Sequence, residues 1–475
     1  MKVLILARPV QRELPGGDVV HADKTAEALR GLGVDVDLAA ERAPDLGPYD
    51  VVHLFNIGNG SLAEPMLRHA MRARALRRPV VVTPIYWDLT ELRRHLGDVD
   101  PLEQRREAAL QGLALRLVDR ALPNSRAEAA VLEAAFGHVA PRIRVVPVGV
   151  EPRWRDGDAR RFCARVGLDE RRFVLCVARV EPLKNQRALI EACGTLGLPL
   201  VLAGAEYDEE YSRRCREAAE ASAARVTFLP HLTDGELADA YAAARVHALP
   251  SWLESVGFSS LEAAVAGCNV VTTTRSGADE YLGRDAWYCD PASAESIRAA
   301  VEAAYAAPLR PDVGPTIAER FTWRRVADET LVAYREALAE HAERPSDGWA
   351  APLSPAEYAE HVDDLLHLQL EAIALRDQEL AELHRDAAEV AQQARVHEER
   401  ADHLERRLAD VEERYRQLAL ERAAVDEERG ALAERVTALQ SELERIHATK
   451  LLRYTGPLRR LYGRVARGRN RGPHA

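Results

Sequence analysis

The stretch Leu249-Pro250-Ser251-Trp252-Leu253-Glu254-Ser255-Val256-Gly257-Phe258-Ser259-Ser260-Leu261-Glu262-Ala263 decides how the rest of the chain is read. An apolar run ends at Pro250, a glycine and several serines follow, and an alanine-rich helical pattern begins before Glu262. Its two acids, Glu254 and Glu262, bracket a loop-to-helix junction. Such a junction can hold one carboxylate near a sugar and another near a ribose. Its free backbone N–H groups suit a phosphate.

Outward from this junction the chain alternates short apolar runs with amphipathic helical patterns. Val3–Ala7, Val34–Ala39, Val51–Phe55, Val80–Thr83, Ala121–Asn124 and Ile143–Pro147 read as strands. Between them, His21–Gly31, Leu67–Leu76 and Leu102–Val118 read as helices. The pattern restarts at Phe173–Ala178 and continues through Pro199–Ala203, Val226–Leu229, Val246–Leu249 and Asn269–Thr273. Strands alternating with helices imply parallel βαβ units, and buried parallel strands read as continuous apolar runs. The expectation is an α/β fold of two Rossmann-like domains facing a cleft, residues 1–155 and 165–342, with Phe321–His341 closing the second.

After a breaker-rich linker at 343–356, proline is absent for about a hundred residues. Leu383, Val390, Leu404, Val411, Leu418, Val425, Leu432, Leu439 and Ile446 share one heptad position. That repeat predicts a coiled coil over 357–449 and a homodimer through it; a solvated single helix is the plain alternative.

The net charge of −11 argues against general nucleic-acid binding. It is unevenly spread: residues 351–449 hold 24 acids and 12 bases, whereas 450–475 hold eight bases and no acid. The tail Lys450–Val465 interleaves leucines and tyrosines with arginines, a pattern suited to an anionic membrane surface. A disordered basic terminus is the alternative. Six scattered cysteines without a Cys-x-x-Cys pair read as reduced core residues of a cytosolic protein. Met1–Ala7 reads as a first strand rather than a leader; the expected location is the cytoplasm, with the tail as a candidate peripheral contact to the inner face of the plasma membrane.

Four loops offer chemistry. Gly16-Gly17, before the first helix, admits a phosphate or sugar ring to backbone N–H groups, or is an ordinary turn. Arg179 and Lys184 follow a strand and can neutralise a diphosphate, or are solvated charges. Glu254 lies in an enclosed loop, whereas Ser259-x-x-Glu262 would be explained by a capping box alone. Ser276–Tyr281 lines the same cleft or is an N-capped turn.

Taken together, Pro250-Ser251, Glu254-x7-Glu262 running on through Ala263-Ala264-Val265-Ala266-Gly267, Gly277-x-x-Glu280, Arg179-x4-Lys184-Asn185 and Gly16-Gly17 resemble glycosyltransferase family 4 over roughly residues 1–340. The resemblance implies the GT-B fold and retaining transfer from a nucleotide diphosphate sugar. It implies that Arg179 and Lys184 bind the diphosphate and that Glu254 contacts the donor sugar. Gly16, Gly17, Gly257, Phe258 and Ser259 would approach the diphosphate and sugar, and Glu262 the ribose. No metal or other cofactor is expected. The implied acceptor is a glycan or lipid-linked glycan of cell-surface polysaccharide synthesis. One departure stands out. Where the family often carries Thr-x-His-Asp, this chain reads Thr83-Pro84-Ile85-Tyr86-Trp87-Asp88, making Tyr86, Trp87 and Asp88 the acceptor-side candidates. The alternative function is a catalytically inactive scaffold recruiting partners through its coiled coil.

Overall fold

A computed structural model describes residues 1–7, 16–39, 44–57, 60–97, 101–137, 141–343, 385 and 401–448. The first sheet contains β1 (Lys2–Leu6), β2 (Asp35–Ala39), β3 (Val51–Phe55), β4 (Val80–Thr83), β5 (Arg120–Ala121) and β6 (Arg142–Ile143). All its pairings are parallel, in the order β2-β1-β3-β4-β5-β6. Helices α1 (Gly17–Arg30), α2 (Gly60–Ala75), α3 (Thr90–Leu96), α4 (Pro101–Arg116) and α5 (Arg126–Phe136) connect these strands.

The second sheet contains β7 (Val174–Val177), β8 (Leu200–Ala203), β9 (Val226–Leu229), β10 (Val246–Leu249), β11 (Asn269–Thr273) and β12 (Ala286–Cys289). It is again wholly parallel, ordered β12-β11-β10-β7-β8-β9. Its helices are α6 (Ala159–Val166), α7 (Gln186–Leu196), α8 (Glu209–Glu220), α9 (Asp234–Ala243), α10 (Phe258–Val265), α11 (Asp279–Leu282), α12 (Ala294–Ala306) and α13 (Val313–Arg320). Val3, Val51, Val80, Val174, Val246 and Val271 are fully buried. That is why these strands show continuous apolar runs rather than alternation.

The expected two α/β halves are present, with three differences. Ala121–Asn124 gives way to the two-residue β5, because the chain turns early into the cap of α5 at Ser125, and Ile143–Pro147 to the two-residue β6. That helix and β12 were not anticipated. The last helix, α14 (Trp323–Glu343), does not close the second half. Its Val326, Ala327 and Tyr334 join Val3, Ile5 and Ala22 in the core of the first. The Tyr334 hydroxyl lies 2.6 Å from His53 Nδ1, and His53 Nε2 lies 2.9 Å from Thr83 Oγ1. Burial lowers this histidine to about 3, so it stays neutral.

Helix α15 spans Ala401–Ala448. Val425 is buried and Val411, Leu418 and Leu432 are partly buried, while most of their neighbours are exposed. The linker beyond Glu343, the heptad residues Leu383 and Val390, and the tail 450–475 lie outside the described residues. No described helix is long and apolar enough to cross a membrane.

Candidate active site

In open α/β sheets, ligands bind beyond the strand carboxyl ends where the strand order reverses. In the second sheet that point lies between β7 and β10. The loop after β7 carries Arg179 and Lys184; the loop after β10 carries Ser251 and Glu254. Lys184 Nζ donates to Glu254 Oε1 at 2.7 Å, and Ser251 Oγ donates to the same oxygen at 2.7 Å. Both side chains of the ion pair are largely buried. Backbone bonds lock the loops together: Trp252 N to Leu183 O at 2.8 Å, Glu254 N to Arg275 O at 3.2 Å, and Gly277 N to Ser255 O at 3.0 Å.

Arg179 lies on the same loop, but its side chain bonds elsewhere. Its Nη2 donates to Glu181 Oε1 at 2.9 Å, and its guanidinium lies 4.4 Å from the Tyr207 ring centre. Nη1 is buried with no hydrogen-bond partner among the described residues. A buried, charged N–H without an acceptor is costly, and an anion would relieve that cost.

The helix after β10 begins differently from the expected capping box. Gly257 at φ 81° is its cap, a conformation that disfavours a side chain, and no side-chain cap bond forms. Glu262 instead accepts from the Tyr241 hydroxyl at 2.9 Å. Desolvation, opposed by that bond, raises its carboxyl to about 7. Phe258 and Ser259 form the first turn of α10, whose N–H groups and dipole favour an anion.

The first half meets this helix end. In the first sheet the order reverses between β1 and β3. Gly16 caps α1 there, and a Cβ on Gly17 would lie 3.3 Å from the Phe258 ring. His21 packs edge-on to Phe258 at 5.8 Å and to Phe55 at 5.3 Å. Burial lowers it to about 4 against the pull of Asp18, and its Nδ1 lacks a hydrogen-bond partner among the described residues. The Gly16-Gly17 turn of one half therefore adjoins the helix start of the other. The rest of the glycine loop, residues 8–15, is outside the described residues.

The acceptor-side candidates follow β4. Tyr86 packs its ring against Phe136 at 5.2 Å, and its backbone N–H donates to Glu128 Oε1 at 3.0 Å. Trp87 Nε1 is buried with no hydrogen-bond partner among the described residues. Asp88 Oδ1 accepts from Thr90 N at 2.9 Å, starting α3. This segment carries strain, since Ile85 has φ 49°, which a β-branched residue rarely adopts.

Several site residues escaped the sequence. Asn124 Nδ2 donates to Ser255 Oγ at 3.1 Å. Tyr281 donates to Asn124 O at 2.6 Å and accepts from Val148 N at 2.8 Å. Glu280, in the noted Gly277-x-x-Glu280 motif, accepts from Ala127 N at 2.9 Å and so caps a helix of the other half. A Cβ on Gly277 would fall 2.3 Å from Ser125 Oγ, which explains its glycine by close approach. Across the cleft, Glu91 and His95 of α3 meet Arg275 at 2.6 Å and the Trp252 ring at 4.3 Å. Of these, only Glu280, Tyr281 and Gly277 lay in a stretch that the sequence had marked as lining the cleft.

Residues 162–313 match the family described as Glycosyl transferases group 1. The chain is 34% identical over 373 residues to a D-inositol 3-phosphate glycosyltransferase of Mycolicibacterium paratuberculosis, covering 70% of this chain and 79% of that one. It is 31% identical over 242 residues to the enzyme of the same name from Rhodococcus opacus, covering 47% of this chain and 54% of the relative. It thus spans about half of that relative's length. In fold it resembles sucrose-phosphate synthase from Thermosynechococcus elongatus, with a TM-score of 0.59 at 17% identity, covering 71% of this chain and 99% of that one. It likewise resembles Anabaena HepE solved with UDP-glucose, with a TM-score of 0.55 at 19% identity, covering 72% of this chain and all of the other.

Proposed function

This chain belongs to the group 1 glycosyl transferases, and on that footing we propose that it moves a sugar from a nucleoside diphosphate to an acceptor hydroxyl with retention of configuration. The observation that carries the reading is the Lys184–Glu254 pair at the reversal point of the second sheet, with the unpartnered Nη1 of Arg179 on the same loop as Lys184. In this scheme the bond from the sugar's anomeric carbon to the diphosphate breaks as a bond to the acceptor oxygen forms on the same face. The acceptor proton passes to the departing phosphate oxygen. Arg179, Lys184 and the α10 N-terminus stabilise the negative charge that develops on that group. Charge compensation by these two cations leaves no step that calls for a metal. Glu254, released from Lys184 as the diphosphate takes its place, orients donor hydroxyls, and Glu262 accepts from the ribose.

A uridine diphosphate donor is the first to try, since a structural neighbour was solved with UDP-glucose. D-inositol 3-phosphate is the first acceptor to try, beside a lipid-linked glycan. UDP release from UDP-glucose, with and without each acceptor, tests the reading. Acceptor-stimulated release that Lys184→Ala and Glu254→Ala abolish supports it. Absence of both release and thermal stabilisation with uridine, guanosine and adenosine diphosphate sugars overturns it.

A further inference from the structure

One buried acid near the cleft is left without a task. Glu128 sits in the first turn of α5 and is fully buried. A glutamate at that helical position ordinarily serves its own cap at the surface. Here the Ser125 hydroxyl caps the helix by accepting from Glu128 N at 3.0 Å, while the carboxylate reaches outward. Oε1 accepts from Tyr86 N at 3.0 Å. Oε2 accepts from Asn124 N at 2.8 Å and from Ser255 Oγ at 3.4 Å. Two segments distant in sequence, at Tyr86 and Ser255, thus converge with the helix's own lead-in at Asn124 on one side chain.

We propose that Glu128 is a positioning residue that sets the turn Ile85–Trp87 of the first half against the loop Ser251–Ser255 of the second. This rests on the cleft being the sugar-transfer site described above. Two features make the carboxylate more than a buried cap. Tyr86 follows Ile85, whose left-handed backbone persists only if its surroundings over-determine it, and the bond to Oε1 holds the next amide in place. Ser255 follows Glu254, so the contact at Oε2 limits how far the donor-side acid can drift. Asn124 doubles that restraint through its own bond to Ser255. Burying a carboxylate among neutral partners costs free energy, which a helix cap alone does not call for.

The test uses the full chain with Glu128→Ala, Glu128→Gln and Ser255→Ala. Amide hydrogen exchange is followed in 85–88 and 252–256, and kcat and KM are measured for release of UDP from UDP-glucose. Glu128→Ala should speed exchange in both segments and lower kcat about tenfold or more, with KM within about twofold, because reacting groups are misplaced rather than binding lost. Glu128→Gln, which keeps an acceptor oxygen, should recover most of kcat. Ser255→Ala should loosen 252–256 alone. Faster exchange in one segment only, or in neither, overturns the proposal, as does a loss confined to KM. Should Glu128→Ala fail to fold, Glu128→Gln and Ser255→Ala still decide it, with intermediate loosening of both segments expected in the former. A wild-type chain that turns over no nucleotide sugar overturns the transfer reading, while the exchange data still judge Glu128.

Discussion

The two sides of the cleft are held in opposite ways. On the donor side, three loops at the carboxyl ends of β7, β10 and β11 are stitched by backbone hydrogen bonds and closed by the Lys184–Glu254 pair. On the acceptor side, the chain after β3 and β4 takes left-handed turns at Asn56 (φ 72°) and Ile85 (φ 49°). Side chains from elsewhere steady them: Asp18 accepts from Asn56 at 3.0 Å, and Glu128 from the amide of Tyr86. Backbone stitching is insensitive to side-chain identity. Long-range side-chain restraint is not. The donor side should therefore tolerate change except at its charges, whereas the acceptor side should be sensitive at its supports.

The largest effect that would break this contrast is chemical. Lys184→Ala or Glu254→Ala should reduce nucleotide release by about a hundredfold or more, roughly 3 kcal/mol of transition-state stabilisation, and lower the unfolding midpoint by less than that, the largely buried partner being left unpaired. Equal losses in midpoint would mean that the pair is a structural brace.

Next comes the pH dependence of stability. Desolvation raises Glu128 to about 7 in the folded state, well above an unfolded glutamate. Between those two values the folded chain binds more protons than the unfolded one, so stability falls as pH rises from about 4.5 to 7. For this buried group the loss is on the order of 3 kcal/mol. Urea unfolding at pH 5 and pH 8 should show a smaller drop in Glu128→Gln than in wild type; parallel drops would remove Glu128 as the source.

Gly277→Ala probes the seam itself. Its new Cβ would meet Ser125 at 2.3 Å, so a shift of either half is forced. An overpacking cost of about 2 kcal/mol is expected, read as a lowered urea midpoint. Smallest is Glu91→Ala, which removes a partly exposed bond to Arg275. About 0.5 kcal/mol or less should be lost, diminishing in high salt.

The motifs Glu254-x7-Glu262, Arg179-x4-Lys184 and Gly277-x-x-Glu280 are local, and the loops that carry them are shaped by nearby backbone. Their placement at strand ends could be read from residue order, because alternating apolar runs dictate parallel βαβ units. The pairing of Lys184 with Glu254 was legible as a shared crevice. That Arg179 would turn to Glu181 was not, since short-range competition among charges leaves no pattern in the chain.

Sequence alone determined the two α/β halves, the crevice loops and the charged residues within them, because hydrophobic period and turn chemistry act over a few residues. Only the tertiary structure decided that α14 packs into the first core, that Glu280 caps a helix of the opposite half, and that Glu128 gathers Tyr86, Asn124 and Ser255. Apart from Asn124, four residues from Glu128, the residues these hydrogen bonds join lie 42 to 281 positions apart. Their partners are chosen by shape and by the need to satisfy buried polar groups, and neither leaves a trace in local spacing.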